Sequence, residues 1–126
     1  TAAGMIAGSP TYIAPEMWHA HPFDHRVDVY SFGAVIYRAL AGRVPFKAPS
    51  NEELFIAATT APRPKITPYR PDLPEEIDEW AARALAIDRD QRYPYIPTLW
   101  NDLIRILRNG RGPNAERVRQ TFHLPG

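Results

Sequence analysis

The sequence predicts a mainly α-helical fold in which a central apolar helix, at about residues 26–42, is wrapped by shorter helices. Almost every position in that stretch is apolar, and Gly42 ends the run. A helix without a polar face belongs in the centre of a protein core. A second observation is the amphipathic pattern further along the chain, where Ile77, Trp80 and Ala84 recur at helical spacing.

The composition is that of an ordinary globular domain. The 126 residues are 44% hydrophobic and 23% charged, and the formal net charge is +1. This charge gives no electrostatic reason to expect nucleic acid or a membrane surface as a partner. The absence of cysteine excludes disulfides and thiolate metal sites. No apolar run approaches the roughly 18 residues needed to cross a bilayer, and we expect a cytoplasmic location.

Local signals predict the first shorter elements. Residues 1–25 are interrupted by prolines and are expected to form a loop, with a short helical turn at about 15–18 that begins on a proline. Ser50 and Glu53 have the spacing of a capping box, so a helix is predicted over about 51–60.

A proline-rich crossing at 62–73 follows and must be extended, because each proline restricts the residue before it. We expect Ile66, Tyr69 and Leu73 to be buried and to hold this crossing in place. A last helix is predicted at about 97–107, and its apolar residues are expected to share one face: Trp100, Leu103, Ile104 and Leu107.

Two regions are expected along the chain. Residues 1–107 form the packed unit, and residues 108–126 form a basic tail with four arginines and one glutamate. A solvated linker is the favoured interpretation of this tail over a nucleic-acid segment, since Phe122 is its only Phe, Trp or Tyr residue. The first residue is Thr1 rather than methionine, so we expect the start to be a cut point.

Several motifs appear in the order in which one family places them. Gly8–Glu16 ends in Ala-Pro-Glu, a member of the protein-kinase signature set, and Asp28–Gly33 has the sequence Asp-Val-Tyr-Ser-Phe-Gly. Pro45-Phe46 and Arg92 follow. Residues 1–107 therefore resemble the helical C-lobe of eukaryotic-like (Hanks-type) serine/threonine protein kinases in their bacterial style. One departure is Asp88–Asp90, where the family usually has a proline after the first aspartate.

The resemblance implies a transferase that moves a phosphoryl group from ATP, with Mg²⁺, to serine or threonine hydroxyls of protein substrates. The chain itself contains no glycine-rich loop, His-Arg-Asp loop or Asp-Phe-Gly. Since phosphoryl transfer needs a phosphate cradle, metal ligands and a base, we expect this chain alone to bind no cofactor and to have no activity. Whether it is an enzyme by itself stays open.

The role implied for this part is to supply the substrate-side activation segment and the helical scaffold. Its partners would be protein substrates and the N-terminal part of the kinase domain. Two alternatives remain open, namely a non-catalytic kinase-like module that binds proteins and a degenerate remnant.

The resemblance also assigns roles to particular residues, none of them catalytic. Glu16 and Arg92 would form a structural ion pair, and Asp28 would hold the backbone of the catalytic loop. Thr1 is a possible phosphorylation site. A substrate-binding wall beside the acceptor hydroxyl, in a version that favours serine and threonine over tyrosine, would be formed by Gly8, Ser9, Pro10, Thr11 and Tyr12.

The ion-pair role and the Asp28 role each have a simpler alternative. Glu16 and Arg92 can be unrelated surface charges, and Asp28 can be a first-turn aspartate that faces the helix dipole. His19, His21 and His25 do not have a standard zinc-ligand spacing and have no cysteine to help them, so we expect no metal site.

Overall fold

A computed structural model describes residues 10–109. Expectations on Thr1, Gly8, Ser9 and the tail beyond residue 109 lie outside the described residues. Within 10–109 the secondary structure is entirely helical, as the sequence predicts. The α-helices are α1 (Pro15–Trp18), α2 (Arg26–Ala41), α3 (Asn51–Thr60), α4 (Glu76–Ala84) and α5 (Ile96–Arg108), and two short 3₁₀ turns span Pro10–Tyr12 and Arg89–Gln91.

Helix α2 lies at the centre and contacts α4, α5 and the 3₁₀ turn at Pro10–Tyr12. It ends at Gly42, which has φ of 76° and donates its N–H to the Arg38 carbonyl at 2.9 Å. That left-handed conformation favours glycine. The predicted central helix is confirmed, but it is not covered on every side, because Val35 is 40% exposed and Ala39 is exposed.

Helices α2 and α4 cross at very close range, at Gly33. A Cβ atom on Gly33 would lie 2.9 Å from the Cβ of Ala84, which is too short for two carbon atoms. Glycine inside a helix costs about 1 kcal/mol relative to alanine. The crossing explains why the residue is tolerated here, since nothing larger than a hydrogen fits between the two helices.

Helix α3 packs a smaller apolar cluster beside the main core. The Ser50 hydroxyl oxygen accepts a hydrogen bond from the Glu53 backbone N–H at 3.2 Å, which confirms the predicted cap. The cluster is formed by Phe46, Leu54 and Ala58 with Trp18 against them. The ring of Trp18 meets that of Phe55 edge-on, with 5.7 Å between centroids, so α1 and α3 are packed together.

The proline-rich crossing is packed, although not by all the residues expected. Ile66 and Leu73 are buried, whereas Tyr69 is 43% exposed and the prediction of its burial was wrong. The Arg43 guanidinium lies over the exposed Tyr69 ring, 3.9 Å from the ring centroid, and makes a cation–π contact with it. Asp78 of α4 holds the crossing by accepting from the backbone N–H of Ile66 at 2.7 Å.

The last two helices pack against α2 and against each other. Trp80 of α4 is buried, and its indole N–H donates to the Leu99 carbonyl of α5 at 3.0 Å. The predicted face of α5 was partly wrong, because Trp100 is 44% exposed and Ile104 is half-buried. The buried stripe is rotated to place four residues against the core: Leu99, Leu103, Ile106 and Leu107.

Candidate functional site

The segment from Pro10 to Tyr12 is held against α2 by two side chains of that helix. Ser31 donates its hydroxyl to the Tyr12 carbonyl at 2.6 Å, and Arg38 donates to the Tyr12 hydroxyl at 2.9 Å. Tyr12 is buried, while Pro10 and Thr11 are half-buried. The turn therefore has a fixed position on the scaffold.

Ser31 and Arg38 were missed by the sequence reasoning. A detectable signal exists, since the two residues are seven positions apart and two turns of helix put them on the same face. Polar residues that share one face of a largely apolar helix indicate that a polar segment packs there.

Glu16 and Arg92 form a bidentate ion pair. The two terminal nitrogens of Arg92 donate to the two carboxylate oxygens of Glu16 at 2.8 and 3.0 Å. The Arg92 side chain is fully buried and that of Glu16 is 10% exposed. The planar guanidinium matches the carboxylate with two parallel bonds, which gives both strength and orientation.

Arg92 also satisfies backbone carbonyls around it. It donates to the Arg26 carbonyl at the start of α2 at 2.8 Å and to the Ala86 carbonyl at 2.8 and 3.2 Å. Its guanidinium lies over the Tyr30 ring, 5.2 Å from the centroid. One side chain therefore joins α1, the start of α2 and the turn after α4.

Asp28 lies in the first turn of α2. Its Oδ1 atom is buried and has no hydrogen-bond partner among residues 10–109. A buried carboxylate oxygen without a donor is costly, and the great majority of such groups in proteins are hydrogen-bonded. A further hydrogen-bond donor beside Asp28 would therefore be favoured.

Arg63 links α3 to the main core and was not anticipated. Its guanidinium donates to the carbonyls of Ala58 at 3.0 Å and Ala61 at 2.8 Å, at the end of α3, and to that of Leu85 at 3.0 Å. Burial lowers the pKa of Arg63. No local pattern reveals this role, because the partners are backbone carbonyls that any sequence would supply.

The Tyr30 hydroxyl and the Nε of Arg63 are buried neighbours, and neither forms a well-aligned hydrogen bond among the described residues. Burial raises the pKa of Tyr30, while the nearby Arg63 and Arg92 charges oppose that rise. Burial therefore favours the un-ionised form of this tyrosine.

His19, His21 and His25 do not form one cluster. His19 and His21 stack with 5.2 Å between ring centroids, and His25 donates through Nε2 to the Pro94 carbonyl at 2.7 Å. No group of three histidine or acidic side chains that could hold a metal ion occurs between residues 10 and 109.

Comparison with known proteins decides the family. The family described as "Protein kinase domain" matches residues 2–101. The chain belongs to the protein kinase family. The protein kinase C-lobe is built of helices, and the all-helical residues 10–109 agree with this assignment.

Three relatives of this chain are bacterial serine/threonine-protein kinases. It is 33% identical over 119 residues to "Serine/threonine-protein kinase Pkn1" of Myxococcus xanthus, covering 94% of this chain and 17% of the relative. It is 32% identical to "Serine/threonine-protein kinase PknB" of Mycolicibacterium smegmatis, over 94% of this chain and 19% of the relative. It is 31% identical to "Serine/threonine-protein kinase PknD" of Chlamydia pneumoniae, over 82% of this chain and 11% of the relative. The kinase chain thus spans less than a fifth of the length of these three relatives.

No helix between residues 10 and 109 of the kinase chain combines the length and the apolar character needed to cross a membrane.

Proposed function

We propose that this chain is the substrate-side part of a cytoplasmic serine/threonine protein kinase. In the whole protein, a phosphoryl group would move from ATP, bound with Mg²⁺, to serine or threonine hydroxyls of protein substrates. The chain would contribute the end of the activation segment and the helices that hold it. Residues 1–107 would be the kinase lobe and 108–126 a basic tail beyond it.

The clamped segment is the observation that carries the proposal. Tyr12 is fixed to α2 by Ser31 and Arg38, and Glu16 is fixed by Arg92. Correct positioning contributes much of the catalysis of phosphoryl transfer. A rigidly held turn at Pro10–Tyr12 is well suited to line the place where a substrate chain passes, together with Gly8 and Ser9 before it.

Asp28 supports the same proposal through a separate observation. Its buried Oδ1 lacks a donor among the described residues, and a backbone N–H of a catalytic loop would supply one. That loop, the phosphate cradle and the metal ligands would belong to an N-terminal part of the kinase domain, which is the first partner of this chain. Thr1 would be an activation-segment phosphorylation site.

The test is phosphoryl transfer by the full-length protein that contains this chain. We expect label from γ-labelled ATP on serine and threonine versions of one protein substrate and a signal at background on the matched tyrosine version. The 126-residue chain alone is expected to give no transfer, because the parts that bind ATP and metal are not in its sequence.

Three outcomes would contradict the proposal. Turnover by the chain alone would show that it has catalytic parts of its own. Equal labelling of the tyrosine substrate would overturn the hydroxyl specificity. Binding of protein substrates by the full-length protein without any transfer would favour the non-catalytic module.

A further inference from the structure

Arg38 is an exposed cation that lies against the Pro10–Tyr12 turn. It belongs to the last turn of α2, and its Nη1 donates to the Tyr12 hydroxyl at 2.9 Å. Tyr12 is buried, and its carbonyl accepts from Ser31. The position of the guanidinium is therefore tied to that of the turn that we propose to line the path of a substrate.

The Arg38 guanidinium keeps most of its hydrogen-bonding capacity. A guanidinium has five N–H donors, and the bond to Tyr12 uses one of them. No ion pair joins Arg38 to a carboxylate between residues 10 and 109. In Arg92, by contrast, the donors bind Glu16 and backbone carbonyls inside the protein. Arg38 is thus a cation with donors that remain available to a ligand.

The segments on either side of this contact carry no negative charge. Neither aspartate nor glutamate occurs in residues 1–15 or in residues 29–51, and the second stretch adds two exposed cations, Arg43 and Lys47. Glu16, the first carboxylate after the turn, accepts from Arg92 through both of its oxygens. The charge of Arg38 is therefore not neutralised by the segment that it holds.

Helix α3 also contacts the Pro10–Tyr12 turn, and it has two acidic residues in its first turn. Glu52 and Glu53 are exposed, and within the described part of the chain neither forms an ion pair with Arg38. Carboxylates in a first helical turn complement the positive end of the helix dipole. Their place is explained by α3 itself, so they leave the Arg38 charge available.

We propose that Arg38 selects protein substrates that carry an aspartate or a glutamate a few residues from the acceptor hydroxyl. This inference rests on the proposed function, because the substrate has to pass the Pro10–Tyr12 turn. The substrate carboxylate accepts from the remaining N–H groups of Arg38, while the bond to Tyr12 orients the guanidinium without neutralising it. Arginine suits this task because its planar fork matches a carboxylate.

The experiment measures kcat/KM of the full-length protein on peptides with one threonine among neutral residues. A glutamate occupies each other position in turn, and matched peptides carry glutamine or lysine there. At one position or more, glutamate should be favoured over glutamine by about threefold to tenfold, between the effects of an exposed ion pair and of a charged hydrogen bond. Lysine should be the poorest, and the preference should fall with added salt, which screens exposed charges.

Variants separate recognition of the substrate charge from clamping of the turn. Arg38→Gln should remove the glutamate preference, and Arg38→Glu should make the lysine peptide the best substrate. Each ratio is taken within one variant, so a general loss of activity does not affect it. Tyr12→Phe removes the clamping bond and should keep the preference. The matched control is Arg83→Gln, which removes an exposed helical arginine that lies over the Tyr93 ring and should also keep it.

Equal kcat/KM for the glutamate and glutamine peptides at every position would overturn this inference and leave the proposed function intact. A glutamate preference that survives Arg38→Glu would also overturn it, because another group would then bind the carboxylate. A loss of activity in Arg38→Gln that is equal for all peptides, with the preference unchanged, would leave Arg38 only its clamping role. Transfer to none of the threonine peptides would contradict the proposed function and this inference together.

Discussion

Replacing Arg92 with methionine is expected to lower the free energy of unfolding by about 3–5 kcal/mol, as for other buried ion pairs that lose one partner. Glu16 would keep a carboxylate that is 10% exposed and has lost both of its donors. The carbonyls of Ala86 and Arg26 would also lose their bonds to the guanidinium. Denaturant titration of the variant and the parent chain measures the difference.

The matched control is another arginine with two carboxylate partners. Arg26 contacts Asp24 at 2.8 Å and Asp90 at 2.7 Å, but both aspartates are well exposed. Exposed pairs contribute little because water screens them, so Arg26→Met should have a much smaller effect. Similar losses in the two variants would contradict the structural role of the Glu16–Arg92 pair.

Gly33→Ala is expected to destabilise the chain by about 1–3 kcal/mol, the range for overpacking a core. The new methyl would meet the Cβ of Ala84 at 2.9 Å, and α2 and α4 would have to move apart. The sign of the change in the free energy of unfolding is informative, because replacing glycine with alanine in an unobstructed helix would instead stabilise the chain by about 1 kcal/mol.

The partner variant Ala84→Gly tests the contact itself. Combined with Gly33→Ala, it returns the missing space on the other helix, so the double variant should be more stable than the sum of the two single effects predicts. Denaturation midpoints of all four proteins give this coupling. A stabilising Gly33→Ala, or strictly additive effects, would show that the crossing is looser than described.

The sequence predicted those elements whose signals are local. Helix α2 followed from its apolar run, and the cap at Ser50 followed from two residues at fixed spacing. Each of these depends on one segment and its own chemistry. The resemblance to a protein kinase brought Glu16 and Arg92 together across the chain, a link that spacing alone would not reveal.

The remaining features depend on neighbours that the sequence does not identify. Helix α5 has apolar residues on two overlapping faces, so packing against α2 and α4 decides that Leu99 is buried and Trp100 is not. The exposed Tyr69 ring makes a cation–π contact with Arg43, a residue far from it in sequence. Arg63 binds carbonyls, which have no sequence signature.

We propose that α2 presents Asp28 to a further part of a kinase domain. Measuring Asp28→Ala in two settings tests it most directly. In the 126-residue chain, the buried Oδ1 has no partner among the described residues, so its removal should leave the melting temperature unchanged or higher. In the full-length protein the same substitution should lower the melting temperature and abolish phosphoryl transfer. Equal effects on stability in the two settings, with transfer retained, would contradict the claim.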